Sequence, residues 1–85
     1  METYRHAIVV SCELEHRVVY LENSCIDEAI SAGIIYFDKY AQKPGDSVIV
    51  GRVETEISDK QVIHTVKGKR IITLGRNLNV EITVL

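Results

Sequence analysis

NSCIDEAISAGIIYFDKYAQKPG, residues Asn23–Gly45, is the one stretch of this chain whose apolar residues recur at helical spacing. Asn23 and Ser24 are N-cap residue types, and Asp27 and Glu28 follow in the first turn, where carboxylates favour the positive end of the helix dipole. Pro44 and Gly45 are stop signals, so the spacing predicts a helix running to about Gln42. At about 100° per residue, Ile26, Ala29, Ile30, Gly33, Phe37, Tyr40 and Ala41 gather on one side, with Ile34 just beside them. A glycine inside a helix costs about 1 kcal/mol relative to alanine. Gly33 at the centre of this stripe therefore predicts that helix and sheet backbones approach closely there.

Outward from the helix, both flanks read as strands. On the N-terminal side, His6 to Glu15 alternates, with Ile8, Val10, Cys12 and Leu14 on one face. Arg17 to Glu22 (RVVYLE) is a second β-branched run, and only Glu15 and His16 separate the two, which predicts a tight hairpin. On the C-terminal side, Ser47 to Ile57 places Ile49, Gly51, Val53, Thr55 and Ile57 on one face and Val48, Val50, Arg52, Glu54 and Glu56 on the other. Ser58, Asp59 and Lys60 form a polar turn before Gln61–Lys67. Gly68 permits a turn into Arg70–Leu74, and Gly75, Arg76 and Asn77 make another before a last strand from Leu78 to Val84. The pattern is β-β-α-β-β-β-β, an antiparallel sheet with one helix packed across a face, in the α+β class.

The bulk properties agree with a single small domain spanning residues 1–85. Ile and Val each occur 11 times in 85 residues, an enrichment that favours sheet. A chain of this size buries only roughly 60 % of the surface its unfolded form exposes, so its core is marginal and oligomerisation is the expected support, a two-fold dimer being favoured. With 46 % hydrophobic and 26 % charged residues and a single proline, disordered and low-complexity classes are excluded. No apolar run approaches the roughly 18 residues of a membrane span, and the opening residues lack the pattern of a secretory signal, so the chain is expected to be cytoplasmic, with no membrane partner. Cys12 and Cys25 are expected to be buried, reduced thiols.

Charge is unevenly distributed. Residues 1–59 hold five cations and eleven acids, a balance of −6, whereas residues 60–80 hold Lys60, Lys67, Lys69, Arg70 and Arg76 and no acid. Such asymmetry points to an anionic partner or to head-to-tail association. These five cations are the candidate anion- or nucleic-acid-binding residues, and nucleic-acid binding through phosphate contacts is the alternative function. The segment contains no Phe, Tyr or Trp on which bases could stack, and strand alternation lets only part of the set share a face. Gly51-Arg52, Gly68-Lys69-Arg70 and Gly75-Arg76 are glycine-cation pairs of the kind that hold a phosphate, without the spacing of a phosphate loop.

For chemistry, the strongest constellation is Glu13, Glu15, His16 and Arg17, an acid, a base and a cation near one hairpin tip. Cys12 and His16 are four apart but straddle a strand end, and no second pair completes tetrahedral zinc coordination. His64 shares a face with Val62 and Val66 and is expected to be a satisfied, partly buried side chain. The expectation is no catalytic or metal site, no cofactor and no enzymatic activity.

The helix is more informative. Ile35 points away from the apolar stripe, amid Glu28, Ser31, Asp38, Lys39 and Gln42, and Tyr36 widens the apolar arc together with Cys25 and Ala32. Ile34, Ile35, Tyr36 and Phe37 thus clothe every side of the helix, which predicts a second packing surface. Ile35, Tyr36, Asp38 and Lys39 are the candidate partner-binding residues. The sequence is best accounted for by a non-enzymatic, oligomeric protein-interaction module, for example a small regulator or inhibitor of a larger intracellular complex.

Overall fold

The computed structural model describes residues 4–22 and 24–85. Strands β1 (His6–Ser11) and β2 (His16–Leu21) lead into helix α1 (Ile26–Tyr40), followed by β3 (Ser47–Ser58), β4 (Gln61–Leu74) and β5 (Val80–Val84). All five strands form one antiparallel sheet in the order β2-β1-β3-β4-β5. The α+β class, with one helix between the second and third strands, is the architecture the alternation predicts.

The helix lies on β1 and β3. Ala29, Gly33 and Phe37 are its buried residues, and they meet Ile8, Val10, Val48, Val50 and Ile72 in the core. Gly33 sits where the sequence places the closest approach. A Cβ added there would run into Cγ2 of Val50, with the Val48 and Ile72 side chains 3.8 and 3.9 Å away. Val50 is fully buried, so that methyl has nowhere to go.

The helix start differs from expectation. Its N-cap is Cys25, which makes no side-chain capping bond. Ser24 is buried and spends its hydroxyl on Nδ1 of the buried His6, 3.1 Å away, while Asn23 lies outside the described residues. A cross-link between helix entry and β1 has replaced a local cap. Cys25 is exposed, contrary to the expectation for both thiols, whereas Cys12 is buried as expected. The first hairpin also turns earlier than the alternation implies. Cys12 and Glu15 exchange backbone bonds of 3.0 and 3.3 Å, so Glu13 and Leu14 form the turn and Leu14 leaves the apolar face. It is 61 % exposed.

The largest correction concerns Gly68. The sequence reads it as a turn dividing two strands, yet β4 runs unbroken from Gln61 to Leu74. Register with β3 slips between Val50 and Arg52, which face Arg70 and Lys67. Gly68 and Lys69 on β4 therefore oppose the single Gly51 on β3, one residue in excess, and Gly68 has φ +60°. This is a bulge with glycine in the left-handed region, which bends the strand and increases its twist. The bend is visible in side-chain contacts. Tyr20 on β2 and His64 on β4 are separated by two intervening strands, about 14 Å in a flat sheet, yet their ring centroids are 5.3 Å apart. The outer half of the β3–β4 hairpin thus curls over the sheet face opposite α1. At its tip Asp59 and Lys60 both have positive φ, 41° and 73°, as a two-residue hairpin turn requires. The molecule is elongated, 46 × 23 × 21 Å.

Candidate interaction surface

Strand pairing assigns each residue to a face. Ile72 pairs with Ile82 and Leu74 with Val80, and directly paired residues share a face. Ile72 and Leu74 are buried on the helix side, so Val80, Ile82 and Val84 also project to that side. The helix packs on β1 and β3 and does not extend over β5. Val80, Ile82 and Val84 are consequently 58, 59 and 68 % exposed, with Leu78 and Leu85 more than half exposed at either end of the strand. An apolar face formed by strand alternation has been left uncovered.

Of the four helix residues singled out in the sequence, Ile35 is open to solvent, at 67 %. Asp38 and Lys39 are exposed beside it. Tyr36 differs from these three: it is half-buried against the core and stacks on Tyr40, centroids 6.3 Å apart. Lys39 places its ammonium 5.3 Å from the Tyr40 ring centroid. The outer helix surface is thus Ile35 with its charged neighbours, and Tyr36 belongs to the helix–sheet packing.

The five cations do not converge. Lys60 is at the hairpin tip and Arg76 is in the β4–β5 turn, at opposite ends of a strand about 46 Å long at 3.3 Å per residue. Lys67 lies 3.4 Å from a carboxylate oxygen of Glu54, which also holds Arg52 at 3.0 Å. Arg70 is half-buried on the helix side, opposite Val50 and Val84. Arg76 borders an open depression with Pro44, Gly45, Leu74 and Asn79, where Glu81 supplies an opposing carboxylate.

The hairpin-tip constellation is brought together only in part. Glu13 reaches Lys43 at 2.7 Å, and Glu15 reaches Arg17 at 3.7 Å, while His16 is exposed. Among the described residues, no group of three His, Cys, Asp or Glu side chains is close enough to hold a metal ion. His64 is half-buried and within 3.0 Å of the Thr55 hydroxyl, as its place between Val62 and Val66 suggests.

Two features escaped the sequence. One is the cluster of Tyr4, Tyr20 and His64, centroids 4.9 to 5.6 Å apart, where the curled hairpin meets β2. Nothing in the alternation of either strand announces a contact across two others. The second is Asp46, which is 7 % exposed and accepts backbone N–H bonds from Glu13 at 3.2 Å, Gln42 at 3.0 Å and Lys43 at 3.1 Å. Its carboxyl is held below the usual range, first by the Gln42 and Lys43 amides. An aspartate between a helix stop and a strand was the available signal.

No described helix is long and apolar enough to cross a membrane. Comparison with protein-family models, curated proteins and solved structures gives no match.

Proposed function

We propose that this chain is a protein-interaction module that self-associates. The observation that supports the reading is the β5 surface: Val80, Ile82 and Val84 project on the helix side, each more than half exposed, and exposed Leu78 and Leu85 flank the strand. Contiguous apolar side chains at a sheet edge gain by being covered, and a small core gains most from a partner. Ile35 adds a second apolar point on the outer helix, with Asp38 and Lys39 to orient a partner. In this reading the module acts by occupying a surface of a larger assembly, in the cytoplasm, as a regulator or inhibitor.

The test is the solution mass. Light scattering over the micromolar range is expected to give a multiple of 9.6 kDa, with two copies favoured. A mass that stays monomeric throughout, in the native chain and in Ile35→Glu alike, removes the support for this reading.

A further inference from the structure

The hydrogen-bond directions in β5 carry this reading to a specific geometry. Gly75 N–H donates to the Asn79 carbonyl at 2.7 Å, and Leu85 N–H donates to the Lys69 carbonyl at 2.8 Å. In an antiparallel pair, residues that exchange bonds alternate with residues that do not. With Ile82 opposite Ile72, the residues bonding to β4 are therefore Asn79, Glu81, Thr83 and Leu85. Val80, Ile82 and Val84 turn their N–H and C=O groups the other way. That side is the end of the sheet, where no further strand of the described residues lies.

Exposed sheet edges are ordinarily blunted by Lys, Pro, a bulge or a covering loop. Strand β5, VEITV, has no Lys and no Pro, carries Glu81 as its single charge, and pairs with β4 without a register slip. All five of its residues are exposed.

We propose that two copies of this chain pair antiparallel along these β5 edges, about a two-fold axis at Ile82, so that two five-stranded sheets become one. The proposal rests on the self-association argued above and names its surface. The strand reads the same in both directions about Ile82, apolar at Val80 and Val84 and polar at Glu81 and Thr83. This axis alone pairs all five residues of β5 with one another. Val80 then faces the partner's Val84 and Ile82 faces the partner's Ile82, each pair exchanging both of its backbone bonds. The apolar side chains of both copies adjoin on the helix side. On the other side Glu81 faces the partner's Thr83, whereas an axis at Glu81 would set two carboxylates directly opposite, which is destabilising.

Sedimentation velocity and amide hydrogen exchange by NMR, on the 85-residue chain over micromolar to millimolar concentration, test the geometry. The amides of Glu81 and Thr83 are expected to be protected at every concentration, because they bond to β4. Those of Val80, Ile82 and Val84 gain protection only as the dimer fills. Ile82→Pro removes an outward N–H and no bond to β4; it is expected to abolish the dimer. Thr83→Lys sets a cation opposite Glu81 at two symmetric places and tightens the dimer by roughly 2- to 30-fold, and Thr83→Glu weakens it by a similar factor. A dimer in which the Val80, Ile82 and Val84 amides exchange equally fast at all concentrations, or which ignores the charge at position 83, overturns the edge geometry while self-association stands. A monomer at every concentration overturns both.

Discussion

Replacing Asp46 tests whether one carboxylate ties the first hairpin, 33 residues away in sequence, to the end of the helix and the start of β3. Its Oδ1 accepts the Glu13 amide of the first hairpin, and its Oδ2 accepts the Gln42 and Lys43 amides where the helix ends. Hydrogen bonds to a charged group contribute about 1.5–3 kcal/mol each. Gln42, Lys43 and Glu13 are exposed residues that water can partly serve once the carboxylate is gone. The three bonds are thus worth less than their sum, and Asp46→Ala is expected to cost about 2–4 kcal/mol. At roughly 0.05–0.15 kcal/mol per residue, the whole domain is stable by only about 4–13 kcal/mol, so the loss is a large share.

The pH dependence follows from the depressed carboxyl. The Gln42 and Lys43 amides, and then Glu13 and the Lys43 ammonium, hold the folded-state pKa of Asp46 below its unfolded value of about 3.9. A group shifted this way stabilises the fold above its unfolded pKa, and the contribution disappears as pH falls through the lower, folded value. Asp46→Asn is therefore expected to be less stable than the native chain near neutrality and to lose less on acidification below about pH 4. Urea unfolding followed by circular dichroism at both pH values measures this. A loss under about 0.5 kcal/mol in Asp46→Ala, the range of ordinary surface substitutions, or an acid limb unchanged in Asp46→Asn, would refute the three-way tie.

Two further outcomes are expected. Gly33→Ala gains about 1 kcal/mol of helix propensity but drives a methyl into the buried Val50; overpacking costs about 1–3 kcal/mol, so a net destabilisation of about 1 kcal/mol is expected in urea, relieved when Val50→Ala is added, and strictly additive effects would contradict the close approach. A thiol reagent followed by mass spectrometry is expected to label Cys25 quickly and Cys12 only through unfolding, since burial, and next the charge of Asp46, push the Cys12 thiol up; equal labelling rates would disprove it.

Period and punctuation are local properties, and what depends on them was legible in the sequence. The helix, its buried stripe through Gly33 and Phe37, the long β3 run with Val48 and Val50 on one face, and the Asp59–Lys60 turn follow from side-chain spacing and turn chemistry alone. So does the openness of Ile35, which lies opposite that stripe. Other features needed the assembled chain, because they depend on which strands become neighbours. Gly68 suits a turn and a bulge equally, and pairing of Arg70 with Val50 and Lys67 with Arg52 made it a bulge. Ser24 is a good N-cap by type, but a buried His6 within 3.1 Å claimed its hydroxyl. Alternation marked Val80, Ile82 and Val84 as one apolar face, with no means of knowing that the helix would settle on β1 and β3 and leave them uncovered. Spacing along a chain assigns a residue to a face; only the packing of the other elements decides whether that face meets protein or water.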